Sequence, residues 1–197
     1  MVIEPPLFFT NMKVFISFLV ICLYSIGLFS QGVYLTESDF LTKKISFKRG
    51  NRGVYKMDEN VLFNKKLLSI KINDTTYYLF KDSIFGYMNK QGISFRFYKG
   101  KTYQIINPSE TILLYKIRAT PATKLQKASY EYYYSANASD SIEILSYKNL
   151  IDGLKKNKLF ASYLELYFSD ESNLLEFDTS NNMYKINRLL QLSIQNK

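Results

Sequence analysis

From Gln31 to about Tyr134 the apolar residues mostly alternate with polar ones, the period of a strand that buries one face. Ile45 and Phe47 alternate with Ser46 and Lys48, Leu68, Ile70 and Ile72 with Ser69 and Lys71, and Ile93, Phe95 and Phe97 with Ser94 and Arg96. Turn-forming residues stand between these runs, at Asn73-Asp74, Asn89 to Gly92, Lys99-Gly100 and Asn107-Pro108-Ser109. Tyr77 to Phe80, Ile84 to Met88, Thr102 to Ile106, Thr111 to Ile117, Tyr130 to Tyr134 and Ile142 to Leu145 supply the remaining strands. Sequential strands joined by tight turns make a meander. Around eight or nine of them predict an antiparallel sandwich or a small barrel.

After Leu145 the period lengthens. Leu150, Ile151 and Leu154, then Phe160, Tyr163, Leu164, Tyr167 and Phe168, then Met183, Ile186, Leu189 and Leu190 fall at helical spacing. Ser180, Asn181 and Asn182 are N-cap candidates for the last helix, and Gly153 weakens the first. Helices this short cannot bury an apolar face alone, so they are expected to pack on the sheet. The predicted class is α+β: an antiparallel meander followed by short C-terminal helices. Residues 31–197 read as one mature domain, strand-rich over 31–145 and helical over 146–197. Thr120 to Ala128 and Ser135 to Ser141 read as loops.

The first thirty residues do not belong to that pattern. Val14 to Phe29 is uncharged, follows Lys13, and ends at Ser30 and Gln31, which is the anatomy of a cleaved signal peptide over residues 1–30 with the cut at Ser30–Gln31. The run is shorter than the ~20 apolar residues of a transmembrane helix, so no anchor is expected after cleavage. Met12 makes a better start than Met1, because Glu4 and two prolines stand where a basic segment belongs. Ile21 is too bulky to precede a lipid-accepting Cys22.

Composition removes more chemistry than it suggests. Cys22 is the single cysteine and histidine is absent, so the mature domain has no disulfide, no thiol nucleophile, no histidine-based triad and no His/Cys zinc site. No cofactor is expected. Glu4 and Lys13 cancel in the leader, leaving the net charge of +9 on the mature part. For an exported basic protein the expected partners are an envelope protein or an anionic glycan or lipid, not nucleic acid.

Seventeen tyrosines and fifteen phenylalanines raise the aromatic share to 16%. Tyrosines beside Lys and Arg form stacking surfaces when solvated, and the candidate ligand-binding patch is Tyr87, Arg96, Tyr98, Lys99 and Tyr103, around the Lys99-Gly100 hairpin. Such tyrosines are equally at home inside a sheet. In Tyr130-Glu131-Tyr132-Tyr133-Tyr134, the even-numbered tyrosines share a face, and packing against the helices is the expected use. The acid pairs Asp170–Glu171 and Glu176–Asp178 lie in the helical end, where capping is the ordinary role, and no catalytic residue is assigned. Asp82-Ser83-Ile84 and Asp140-Ser141-Ile142 match a short O-glycosylation acceptor pattern that chance readily produces.

GVYLTESDF (Gly32 to Phe40), FGYMNKQGISFRFYKGKTYQII (Phe85 to Ile106) and MYKINRLLQLS (Met183 to Ser193) together resemble a family of exported Bacteroidota proteins to which no activity is assigned. The resemblance implies export to the periplasm or outer membrane and carries over no catalytic residue. The leading expectation is a non-catalytic envelope binding module. The alternatives are a carboxylate-dependent hydrolase of glycan or lipid, with Glu176 and Asp178 as its acids, and a structural subunit that self-associates through a sheet edge.

Overall fold

The structure, a computed structural model, describes residues 31–50, 54–58, 66–119, 129–168 and 173–195. The leader with Ser30, the loop Thr120 to Ala128 and the pair Asp170–Glu171 lie outside them. In chain order, β1 (Gly32–Tyr34) leads through helix α1 (Glu37–Leu41) to β2 (Tyr55–Asp58), β3 (Leu67–Ile72) and β4 (Thr75–Phe80). A 3-10 turn at Lys81–Ser83 returns the chain to β5 (Gly86–Met88), β6 (Ser94–Tyr98), β7 (Lys101–Ile105), β8 (Leu113–Arg118), β9 (Tyr130–Ser135) and β10 (Glu143–Ile144). Helices α2 (Tyr147–Gly153) and α3 (Lys158–Tyr167), the hairpin β11 (Phe177–Asp178)–β12 (Met183–Tyr184) and helix α4 (Lys185–Gln195) follow.

The class is α+β, with every strand pair antiparallel. The large sheet has seven strands in the order β1-β5-β6-β7-β8-β9-β10 and stays open, so it is not a barrel. Strands β2-β3-β4 form a separate sheet. Turn chemistry sets the hairpins: Lys99 and Gly100 both take positive φ, as does Asn73, conformations that Gly and Asn adopt at least cost.

Register decides which side chains share a face. Tyr87 opposes Phe95, Phe95 opposes Gln104, Gln104 opposes Lys116, and Leu114 opposes Tyr134, so these residues stand on one side of the large sheet. Over its β1-β5-β6 half that side meets the small sheet, joining Val33, Tyr87 and Phe97 to Leu68 and Ile70. Over its β8-β9 half it meets the helices, joining Leu114 and Tyr134 to Leu150, Phe160, Leu164, Ile186 and Leu189. The other side carries Arg96, Tyr103, Ile105, Tyr115 and Ser135 and is capped by Phe40 of α1 and by Ala138 and Ile142 of the 136–142 loop. Each fully buried large apolar side chain in these clusters contributes about 1.5–3 kcal/mol.

Two local readings are corrected. Ile45–Phe47 forms no strand of its own; Ser46 makes only an isolated bridge to Val33. Ser180, Asn181 and Asn182 do not cap α4 but turn the β11–β12 hairpin, with Asn182 at positive φ. The same short polar side chains serve turns and caps alike, so sequence alone leaves the choice open. The helix begins directly after β12, and the Glu110 carboxylate takes the Tyr184 N–H at 3.3 Å.

Candidate functional site

The five residues of the expected patch do not share a solvated surface. Arg96 and Tyr103 are direct cross-strand partners and both are buried. Tyr87 points to the opposite side of the sheet, stacked on Phe95 at 4.8 Å and packed against the small sheet. Tyr98 is half-buried, and only Lys99, at the hairpin tip with its ammonium 5.2 Å from the Tyr98 ring centre, stands in solvent. Alternation tells which residues share a side of a strand; which side another layer covers is set by the tertiary packing.

Arg96 is instead an internal clamp. Nη1 donates to the Tyr115 hydroxyl at 2.9 Å and to Ser135 Oγ at 3.4 Å, and Nη2 donates to the Asp140 carbonyl at 2.9 Å. The guanidinium lies 5.2 Å from the Phe85 ring centre and 5.5 Å from that of Tyr98. Ser135 Oγ also donates to the Asn137 carbonyl, so the clamp fastens the 136–142 loop to the sheet. A buried cation held by neutral acceptors and aromatic faces is a structural element.

The acids of the hydrolase alternative do not meet in a cleft. Glu176 forms an exposed ion pair with Lys185 at 2.9 Å. Asp178 accepts from the Asn181 main chain at 3.1 Å and side chain at 2.8 Å, bonds that lower its pKa and close the β11–β12 turn. A cleft of about 440 Å³ does exist elsewhere, lined by Glu37, Leu41, Lys43, Glu110, Asn137 and Ala138 among others. Burial raises the Glu110 pKa, but its oxygens are engaged by Tyr184 N–H and Asn107 Nδ2 in the fold. Burial lowers the Lys43 pKa, and its ammonium donates to the Pro108 carbonyl at 3.0 Å. Among the described residues no group of three or more His, Cys, Asp or Glu side chains could hold a metal.

A solvated aromatic and basic surface lies on the small sheet. Lys56 opposes Lys71 and Lys71 opposes Thr76, while Ser69 opposes Tyr78 and Leu67 opposes Phe80. Their strand neighbours Leu68, Ile70 and Leu79 point into the core, so this set faces outward. Tyr78 is 66% exposed and Phe80 63%. Two lysines directly across a strand pair repel, and among the described residues neither pairs with a carboxylate. The sequence does not mark this surface, because β4 (TTYYLF) has no charged residue and no clean alternation, and its adjacent tyrosines carry no sign of their exposure.

Comparison with known proteins returns no matching family model, no matching curated protein and no matching solved structure. Among the described residues no helix is long and apolar enough to cross a membrane.

Proposed function

We propose that this chain is an exported, non-catalytic binding module of the bacterial envelope, and that it holds an anionic partner on the outward face of the small sheet. The observation that carries the reading is the cross-strand pair Lys56–Lys71, set on one face with Tyr78 and Phe80. Like charges placed face to face, with no ion pair to a carboxylate among the described residues, cost stability in the free protein, and an acidic partner removes that cost on binding. Exposed rings beside them add stacking area at small entropic cost. The net charge of +9 draws such a partner in at long range. Residues 1–30, read as a signal peptide, and the resemblance to exported Bacteroidota proteins support an envelope location.

The test is retention of purified acidic envelope polymers and proteins by the wild-type chain and by Tyr78→Ala/Phe80→Ala and Lys56→Glu/Lys71→Glu variants. Retention lost in both variants, with the fold intact by circular dichroism, supports the reading. Retention equal to wild type in both removes it.

A further inference from the structure

Besides its face, β4 presents an edge that is free among the described residues. Strand β4 is the last strand of the small sheet and pairs only with β3 among the described residues. Lys81 N–H donates to the Lys66 carbonyl at 2.9 Å, which fixes the phase of the ladder. By the antiparallel alternation, Thr75, Tyr77 and Leu79 turn their main-chain groups toward β3, and Thr76, Tyr78 and Phe80 turn theirs away. The Phe80 carbonyl is taken by the Ser83 hydroxyl at 2.8 Å. Among the described residues the N–H and C=O of Thr76 and Tyr78, with the N–H of Phe80, form an open row. Five of the six β4 residues are exposed, and none is charged, proline or glycine. Natural edge strands are usually shielded by charge, proline, a bulge or shortness. The other sheet's terminal strands β1 and β10 follow that rule, with three and two residues.

Resting on the reading above, we infer that the partner is an extended, acidic polypeptide segment that adds to β4 as an antiparallel fourth strand of the small sheet. A glycan or lipid could stack on Tyr78 and meet the lysines, but only a polypeptide matches the row of main-chain donors and acceptors. Charge selects an acidic segment over a second copy of this chain, because two copies bring +9 to +9. Thr76 is small and separates Lys71 from the free edge. A carboxylate opposite Thr76 would sit about two strand spacings, ~9.6 Å, from β3, within reach of an extended lysine. On the inward side the added strand would lie beside Tyr77, which already rests on Phe47 at 5.0 Å.

The experiment measures binding of a short synthetic peptide of alternating glutamate and valine by the full chain. The comparators are the same peptide N-methylated on its pairing edge, a lysine–valine counterpart, and the anionic polysaccharide heparin. Thr76→Pro is the diagnostic variant, since it removes an outward N–H, keeps both rings, and is a substitution edge strands tolerate. The expected result is binding that becomes roughly tenfold weaker or worse on N-methylation, in Thr76→Pro and with the lysine peptide. Equal binding of the N-methylated peptide, or by Thr76→Pro, overturns strand addition. If Tyr78→Ala still abolishes heparin binding, the face reading survives that failure. No binding of any anionic probe overturns both. A concentration-dependent dimer abolished by Thr76→Pro overturns the acidic segment and gives the edge to a second copy.

Discussion

Lys56 and Lys71 stand directly opposite each other on β2 and β3, two exposed ammonium groups in one cross-strand pair. An opposite-charge pair at such a position stabilises a sheet by roughly 0.2–1 kcal/mol, and a like-charge pair does the reverse. Lys71→Glu is therefore expected to raise stability by a few tenths to ~1 kcal/mol in denaturant unfolding while it weakens binding of an acidic partner. A variant that loses stability and binding together would identify Lys71 as a structural residue.

The clamp around Arg96 makes a separate prediction about two of the three charges of the β6–β7 hairpin, Arg96 and Lys99. Arg96→Glu puts a carboxylate among the Tyr115 hydroxyl, Ser135 and the Asp140 carbonyl and is expected to cost several kcal/mol. Lys99→Glu, at the exposed tip, is expected to stay within about 0.5 kcal/mol of wild type. Urea unfolding of the two single variants separates them, and similar midpoints would contradict the clamp.

Two tyrosines on β9 tie stability to alkaline pH. The Tyr133 hydroxyl donates to Glu131 at 2.7 Å, which with burial pushes its pKa up to about 12. Tyr134, buried against the helices and donating to the Asn149 carbonyl, is pushed up to about 12, first by burial. A folded pKa above the unfolded value of about 10 means the folded state holds the proton more tightly. The stabilisation is complete below about pH 10 and is lost as pH rises toward 12. Unfolding free energy followed across that range should fall, and the Tyr133→Phe/Tyr134→Phe variant should fall less steeply. An equal slope in the variant would remove these residues from the account.

Gly153 ends α2 under the ring of Tyr134. Helix propensity alone says that Gly→Ala stabilises by up to about 1 kcal/mol. A Cβ at Gly153 would come within 2.5 Å of Tyr134 Oη, a buried ring held by its bond to Asn149. Gly153→Ala is therefore expected to destabilise by about 1–3 kcal/mol, and Tyr134→Phe to relieve part of that loss in a double-mutant cycle. A stabilising Gly153→Ala would show that the ring yields.

The strands and their tight turns were legible because they rest on local rules: period two in Leu68–Ile72, and turn residues at Asn73 and Lys99-Gly100. What needed the third dimension was which face each layer covers. Arg96 and Tyr103 sit on one side and Tyr87 on the other, and both sides are roofed, one by α1 with the 136–142 loop and one by the small sheet. Nothing in the run from Phe85 to Ile106 reveals that roof. The exposed face went unread for the converse reason, since Tyr77 and Tyr78 resemble core residues until β4 is seen to be an outermost strand. The lysine pair was hidden too, because its members are distant in sequence and meet only through the β2–β3 register.

The most direct measurement places a photo-crosslinking residue at position 78 in the full chain in cells of its own host, with the same residue at exposed Leu166 on α3 as the reference. The account is met by one acidic envelope partner captured from position 78, absent from position 166 and lost when Lys71→Glu is added. It is contradicted if position 78 captures nothing, or captures the same mixture as position 166 whatever the charge at Lys71.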